Sequence, residues 1–353
     1  MTSTTSRLPA AERVLFVRLR SLGDVVLMTP ALRVAKRAKA RVGVVVESPF
    51  DQILQGNTDV DEVFVPTGAG KWLSRARIVR QIRDFAPDLV IDLHGGSTSS
   101  LIARLAGSRE RVGFQSSPHA RFYTRCVPDP RKVWQKERLH TVEYQLAPLK
   151  YLGWPVDPLP PLRIEVSPVA RRKIEELLAG RPSSGEFILL HPAAAFDTKQ
   201  WPVLNFASLA RELVGEGYRV IITAGPGQEH LLSDMAVRCP EGAMIVDPLP
   251  LPDFVALVSL CRLYIGNDTG PTHIAAALKK PIVVIFGSSD AGAWFPWQTR
   301  YRLLQSDLDC IPCPGYSCLH YDRPRCIESI AVSSVLKEAL ELLRLENEEQ
   351  YAC

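Results

Sequence analysis

Short apolar runs alternate with longer amphipathic stretches along most of this chain. Val14 to Leu19, Val42 to Glu47, Val63 to Pro66 and Leu89 to Leu93 are runs of strand length, rich in β-branched residues. Between them, residues 25–39 and 72–85 carry helical patterns; the first opens near Asp24 with Pro30 as a candidate kink, and the second is rich in arginine. His94-Gly95-Gly96-Ser97 leads into a helix ending near Leu105, residues 109–130 read as irregular and basic, and His140 to Leu152 reads as a closing helix. Near-continuous apolar strands separated by helices predict a parallel sheet covered on both faces.

Five prolines between Gly153 and Pro168 then remove backbone donors, which marks a linker. After a short helix at 169–178 the alternation resumes: strands at Phe187–Leu190, Tyr218–Thr223, Ile245-Val246, Leu263–Ile265 and Ile282–Phe286, with helices at 202–214, 252–260, from Pro271 to Leu278, and finally 332–345. The expected organisation is an N-terminal Rossmann-like domain at 1–155, a Pro-rich linker at 156–185, a second Rossmann-like domain at 186–330 and a C-terminal helix and tail at 331–353.

Composition adds bounds. At 46% hydrophobic and 23% charged, the 353 residues are those of a globular protein. No apolar run approaches the roughly 20 residues of a bilayer span, and Met1 to Glu12 has no signal-peptide core, so a cytoplasmic location is expected. The net charge of +4 is uneven: residues 1–160 hold 24 Lys+Arg against 15 Asp+Glu, and the remainder 18 against 23. The basic half suits an anionic partner or membrane surface, or is simply a solvated basic face.

Four of the eight cysteines cluster as Cys310-x2-Cys313-x4-Cys318-x7-Cys326. Four thiolates at this spacing are candidate zinc ligands, although the spacing departs from paired C-x2-C knuckles; the other reading is a reduced or locally cross-linked loop.

The candidate chemistry lies where strands hand over to helices, since open parallel sheets gather ligands outside the carboxyl ends of their strands. Asp24 follows the first strand, as a general base or as a plain N-cap. Asp92 and His94 end the fourth strand, facing a cleft or hydrogen-bonded structurally. In the second half Lys199, Glu229 and the run Asn267-Asp268-Thr269-Gly270-Pro271-Thr272-His273 stand at three strand ends. Lysine can offer charge to a diphosphate, a helix N-terminus can offer amides, and glutamate can accept from ribose hydroxyls. His273 is a donor contact or a structural histidine. Together these residues describe group transfer from a nucleoside diphosphate, with Asp24 taking the acceptor proton. The chain contains no G-x-G-x-x-G at the first strand-helix turn, no G-x-x-x-x-G-K-[ST] and no G-x-S-x-G, which disfavours dehydrogenase, P-loop and hydrolase readings. Two D-x-D strings, at Asp59–Asp61 and Asp307–Asp309, are about what chance supplies.

Arg20-Ser21-Leu22-Gly23-Asp24 with Thr29-Pro30-Ala31-Leu32, His191-Pro192 through Lys199-Gln200-Trp201-Pro202, and Asn267 to His273 resemble, in order, the signatures of family 9 glycosyltransferases, the ADP-heptose:lipopolysaccharide heptosyltransferases and their relatives. Pro87 to Leu93 with Gly95, and Gly225 to Glu229, fit the same pattern. The resemblance implies a GT-B architecture of two doubly wound α/β domains facing a central cleft, and inverting transfer with no metal or cofactor. It implies Asp24 as base, with the donor held by Lys199, Glu229, Asp268, Thr269, Gly270 and His273. The implied partners are ADP-heptose and an anionic lipid-linked saccharide of the lipopolysaccharide inner core, met at the inner-membrane surface, with no nucleic acid. The chain departs from the family at Pro192-Ala193, where a Pro-Gly pair is usual, which leaves the donor sugar open. A protein that binds a nucleotide sugar without transferring it is the alternative from another class.

Overall fold

The computed structural model describes residues 11–66, 71–179 and 186–351; the chain ends and residues 180–185, which fall within the expected domain and linker spans, lie outside the described residues. Two compact units meet in sequence at Glu165 and Val166, inside the proline-rich stretch.

In the first unit β1 (Arg13–Val17), β2 (Arg41–Val45), β3 (Glu62–Phe64), β4 (Leu89–Asp92), β5 (Glu110–Phe114) and β6 (Arg125–Val127) form one sheet in the order β3-β2-β1-β4-β5-β6. Every neighbouring pair is parallel, with Val14 registered against Val42 on one side and Leu89 on the other. Leu15, Val17, Val45 and Val90 point to one face and pack with Ile78, Ile82, Phe85 and Ile102. Alternation along each strand sends Phe16 and Val44, equally buried, to the other. Burial on both faces explains why these strands read as unbroken apolar runs.

The second unit repeats the winding. Its strands β7 (Ile188–His191), β8 (Val220–Ile222), β9 (Ala243–Ile245), β10 (Leu263–Asn267), β11 (Ile282–Phe286) and β12 (Tyr301–Gln305) are ordered β12-β11-β10-β7-β8-β9, again all parallel. Counted from the first strand of each unit, both sheets run 3-2-1-4-5-6. The chain reverses its direction of travel between β1 and β4, and between β7 and β10, and ligands gather at such reversal points. The helix Val332–Tyr351 closes the second unit by burying Val335, Ala339, Leu342 and Leu343, spaced i, i+4, i+7, i+8, on its core. The helix Pro168–Leu178 belongs to this unit too. It buries Ala170, Ile174 and Leu178, and its Lys173 pairs with Asp253 of the helix Leu251–Leu260.

Two details differ from the sequence reading. Residues 109–130, expected to be irregular, hold β5 and β6. Gly113, which weakens a strand pattern, is there because a Cβ would stand 2.3 Å from the Tyr123 ring. The edge strand β12 is only half-buried along its length, so it carries no apolar run to detect. Pro30, the candidate kink, lies within the single helix Leu22–Arg37. Among the described residues no helix is long and apolar enough to cross a membrane.

Candidate active site

Asp24 stands in the third position of the helix Leu22–Arg37, and the N-cap is Ser21, so the plain N-cap reading of Asp24 is corrected. The Ser21 backbone N–H (3.2 Å) and hydroxyl (2.9 Å) both donate to Asp24 Oδ2, while Arg18 forms an ion pair with Oδ1. Arg18 also donates to the Leu93 carbonyl at the end of β4, so one guanidinium ties the two strand ends at the reversal point. The Asp24 and Arg18 side chains each keep 15% exposure, which leaves the carboxylate reachable. Gln145 Nε2 donates to the Asp24 carbonyl at 3.2 Å and holds the helix from beneath.

Asp92, at the end of β4, behaves differently. It is fully buried, its Oδ1 accepts from the His94 and Gly95 amides at 2.9 Å each, and its Oδ2 accepts from Tyr123 at 2.8 Å. Burial, with the Asp92 charge beside it, raises the Tyr123 phenol and keeps it a donor. This carboxylate is spent on its own turn, as in the structural reading of the pair. His94 is pushed down by burial and then by the Arg18 charge, so it is neutral at pH 7.

In the second unit β10 is buried along its whole length and runs two residues beyond the expected strand, to Asn267. Asn267, which sequence reasoning assigned no role, is the clasp of this site. Its Nδ2 donates to the Pro192 carbonyl at 2.9 Å and its Oδ1 accepts from the Trp201 amide at 3.1 Å, fixing the loop that carries Lys199. Trp201 is itself fully buried, donates its indole N–H to the Ile330 carbonyl and meets Phe206 edge-on at 4.9 Å. Lys199 Nζ thereby reaches Asp268 Oδ2 at 2.9 Å, with Asp268 only 4% exposed.

Thr269 is the N-cap of the helix Gly270–Ala277, with Pro271 in its first turn, yet the Thr269 side chain makes no capping hydrogen bond. The Thr269 hydroxyl lies 3.4 Å from the Asn267 carbonyl and the Thr272 hydroxyl donates to the same oxygen at 2.6 Å. Free amides and the helix dipole at such a start act together to favour an anion. His273 is buried and its ring lies 6.2 Å from that of Trp294. Glu229 is not part of the Lys199–Asp268 pair. It opens the helix Glu229–Ala236 after β8, exposed, and accepts from the Gly227 amide at 3.0 Å. Hydrogen bonds from its own backbone amide and then from that of Gly227 hold its carboxyl below the usual range. Gln228, also unassigned from sequence, reaches the Ala194 carbonyl at 3.1 Å and joins the two loops.

Cys310, Cys313, Cys318 and Cys326 are free thiols, and burial together with neighbouring Cys310 and Cys318 pushes the Cys326 thiol up. Among the described residues no group of three or more His, Cys, Asp or Glu side chains is placed to hold a metal ion, so the zinc reading of this loop has no geometric support.

His191 closes β7 at the reversal point, 3% exposed, with its ring edge-on to Phe254 at 5.5 Å. Burial pushes it down to about 4. A group depressed in the folded state contributes stability that is complete above its unfolded value and lost as pH falls through the folded one. The second unit is therefore expected to lose up to about 3 kcal/mol from this group as pH drops from about 6.5 to about 4. Thermal melts across that window check it: His191→Asn should flatten the dependence, and an unchanged slope would refute it.

A solved structure of the Escherichia coli ADP-heptose lps heptosyltransferase II superposes with a TM-score of 0.79 at 20% identity, over 95% of this chain and 99% of that one. The molecule is thus a two-domain α/β protein of the GT-B glycosyltransferase fold. Among curated proteins, lipopolysaccharide heptosyltransferase 1 of Pseudomonas aeruginosa is 27% identical over 87% of this chain and 88% of its own length. Lipopolysaccharide heptosyltransferase 3 of Escherichia coli is 24% identical over 80% and 85%. The model of glycosyltransferase family 9 (heptosyltransferase) matches residues 75–321, and the chain belongs to that family. It is a glycosyltransferase.

Proposed function

We propose that this protein transfers heptose from ADP-heptose to the inner core of lipopolysaccharide, with inversion at the anomeric carbon and without a metal. The observation that carries the reading is the Lys199–Asp268 pair beside the uncapped start of the helix Gly270–Ala277, at the reversal point of the second sheet. Lys199 and the helix amides would meet the donor diphosphate, and the exposed Glu229 carboxylate a ribose hydroxyl. Asp24 would take the proton from the acceptor hydroxyl as its oxygen attacks the anomeric carbon. The bond to the diphosphate breaks on the opposite face, and ADP leaves with the electron pair. Lys199 then balances the negative charge gathering on the departing phosphate.

The names of the relatives support heptose and lipopolysaccharide for this chain, and the basic first half suits a phosphorylated acceptor at the cytoplasmic face of the inner membrane. A second reading, a different nucleotide sugar, is favoured by Ala193. It is buried, its carbonyl lies 3.5 Å from Asn267 Nδ2, and it puts a methyl where the family usually has glycine. Calorimetric titration with ADP, UDP and GDP separates the two. ADP is expected to bind at least about tenfold more tightly than the others, a difference of about 1.4 kcal/mol. Preference for UDP or GDP would move the enzyme to another sugar pathway.

A further inference from the structure

Next to Lys199, three loops line an open pocket of about 420 Å³: the turn Asp197–Lys199, the loop after β11, and the cysteine-rich loop at 312–316. That is within the roughly 300–1,000 Å³ of small-molecule sites. Its walls are tied together. The Thr198 hydroxyl donates to the Gly315 carbonyl at 2.9 Å, the Ser288 amide to the Thr198 carbonyl at 3.1 Å, and the Cys313 amide to the Ser288 carbonyl at 2.8 Å. Gly287 allows this approach, because a Cβ there would stand 1.9 Å from the Thr198 oxygen.

The pocket presents two kinds of surface. Phe196 and Tyr316 pack together with ring centroids 4.5 Å apart and planes tilted by 50°, and they remain 36% and 71% exposed. Trp294, whose ring neighbours His273, lines the same space. Against these stand polar groups. Ser289 is 8% exposed, and its hydroxyl is buried with no hydrogen-bond partner among the described residues. The Asp290 carboxylate uses Oδ1 on the Gly292 amide at 2.9 Å. A buried hydroxyl left without a partner is unfavourable, and a ligand hydroxyl would satisfy it.

Aromatic faces combined with an unsatisfied hydroxyl and a carboxylate match a polyhydroxylated ring. The C–H face of a saturated sugar is apolar and slightly positive and meets the negative face of an aromatic, while its hydroxyls both donate and accept. Lys199 lines the same pocket, so a diphosphate held by it would bring such a ring here.

We infer that this pocket receives the glycosyl ring of the donor, with the Phe196–Tyr316 pair as its platform and Ser289 as the residue that reads a ring hydroxyl. The inference rests on the reading of Lys199 as the diphosphate contact. It is tested by titrating the full-length wild type, Ser289→Ala and Tyr316→Ala with ADP and with ADP-heptose, after checking that all three melt alike. The wild type is expected to bind ADP-heptose more tightly than ADP. Each variant should lose about three- to tenfold in affinity for ADP-heptose and keep its affinity for ADP within about twofold. Equal losses for both ligands, or none for either, would overturn the subsite while leaving the diphosphate contact standing. A wild type that binds neither ligand would overturn the donor reading and the subsite with it.

Discussion

Asp24→Asn is expected to lower kcat by about 10²- to 10⁴-fold, the usual contribution of a positioned general base, and to leave ADP affinity unchanged. The amide keeps the size of the carboxylate and removes its capacity to take a proton. Its surroundings make this a test of chemistry more than of folding. Ser21 and Arg18 hold the two oxygens in place, and the side chain stays partly exposed at the start of its helix. Losing the charge costs about 1 kcal/mol of helix stability and also leaves Arg18 without its anion, a cost that shows in the melting curve and not in turnover. Steady-state kinetics beside a melting curve measure both, and turnover near that of the wild type would remove Asp24 from the mechanism.

Lys199→Ala is expected to weaken donor binding by about 10- to 100-fold, the worth of a charge-assisted contact to a diphosphate. It also leaves Asp268, 4% exposed, without its cation. Breaking a buried pair costs about 3–5 kcal/mol, and less here because the Lys199 side chain keeps 26% exposure. The two effects separate in the double variant. Adding Asp268→Asn should restore much of the melting temperature, because the stranded charge is gone, without restoring donor affinity. Calorimetry with ADP-heptose on the single and double variants is decisive. Recovery of affinity together with stability would mean that Lys199 serves the fold alone.

Much of this architecture was legible because both sheets are buried on two faces. Runs such as Leu89 to Leu93 and Ile282 to Phe286 have no polar side to confuse their period, and the helices between them imply parallel pairing. The strands that escaped notice, β5, β6 and β12, are the short or half-buried ones toward the sheet edges, where tertiary contacts such as Tyr123 over Gly113 decide the conformation. Asp24, Lys199 and Asp268 stand out in the sequence as candidates because each follows a strand. Their partners could not. Arg18 reaches Asp24 across a turn, Asn267 clasps a loop 66 residues before it, and Ser289 lines a pocket shared with the cysteine-rich loop. None of these leaves a periodic trace. The nearest signal was position: Arg18 and Asn267 flank motifs at strand ends, where side chains of one sheet converge.

Transfer of heptose is tested most directly by incubating the protein with ADP-heptose and a heptose-free lipopolysaccharide acceptor in the presence of a chelator. Mass spectrometry of the acceptor is expected to show one added heptose for each ADP released, and NMR of the product an anomeric configuration opposite to that of the donor. An acceptor that stays unchanged while intact ADP-heptose remains bound to the protein would contradict the account.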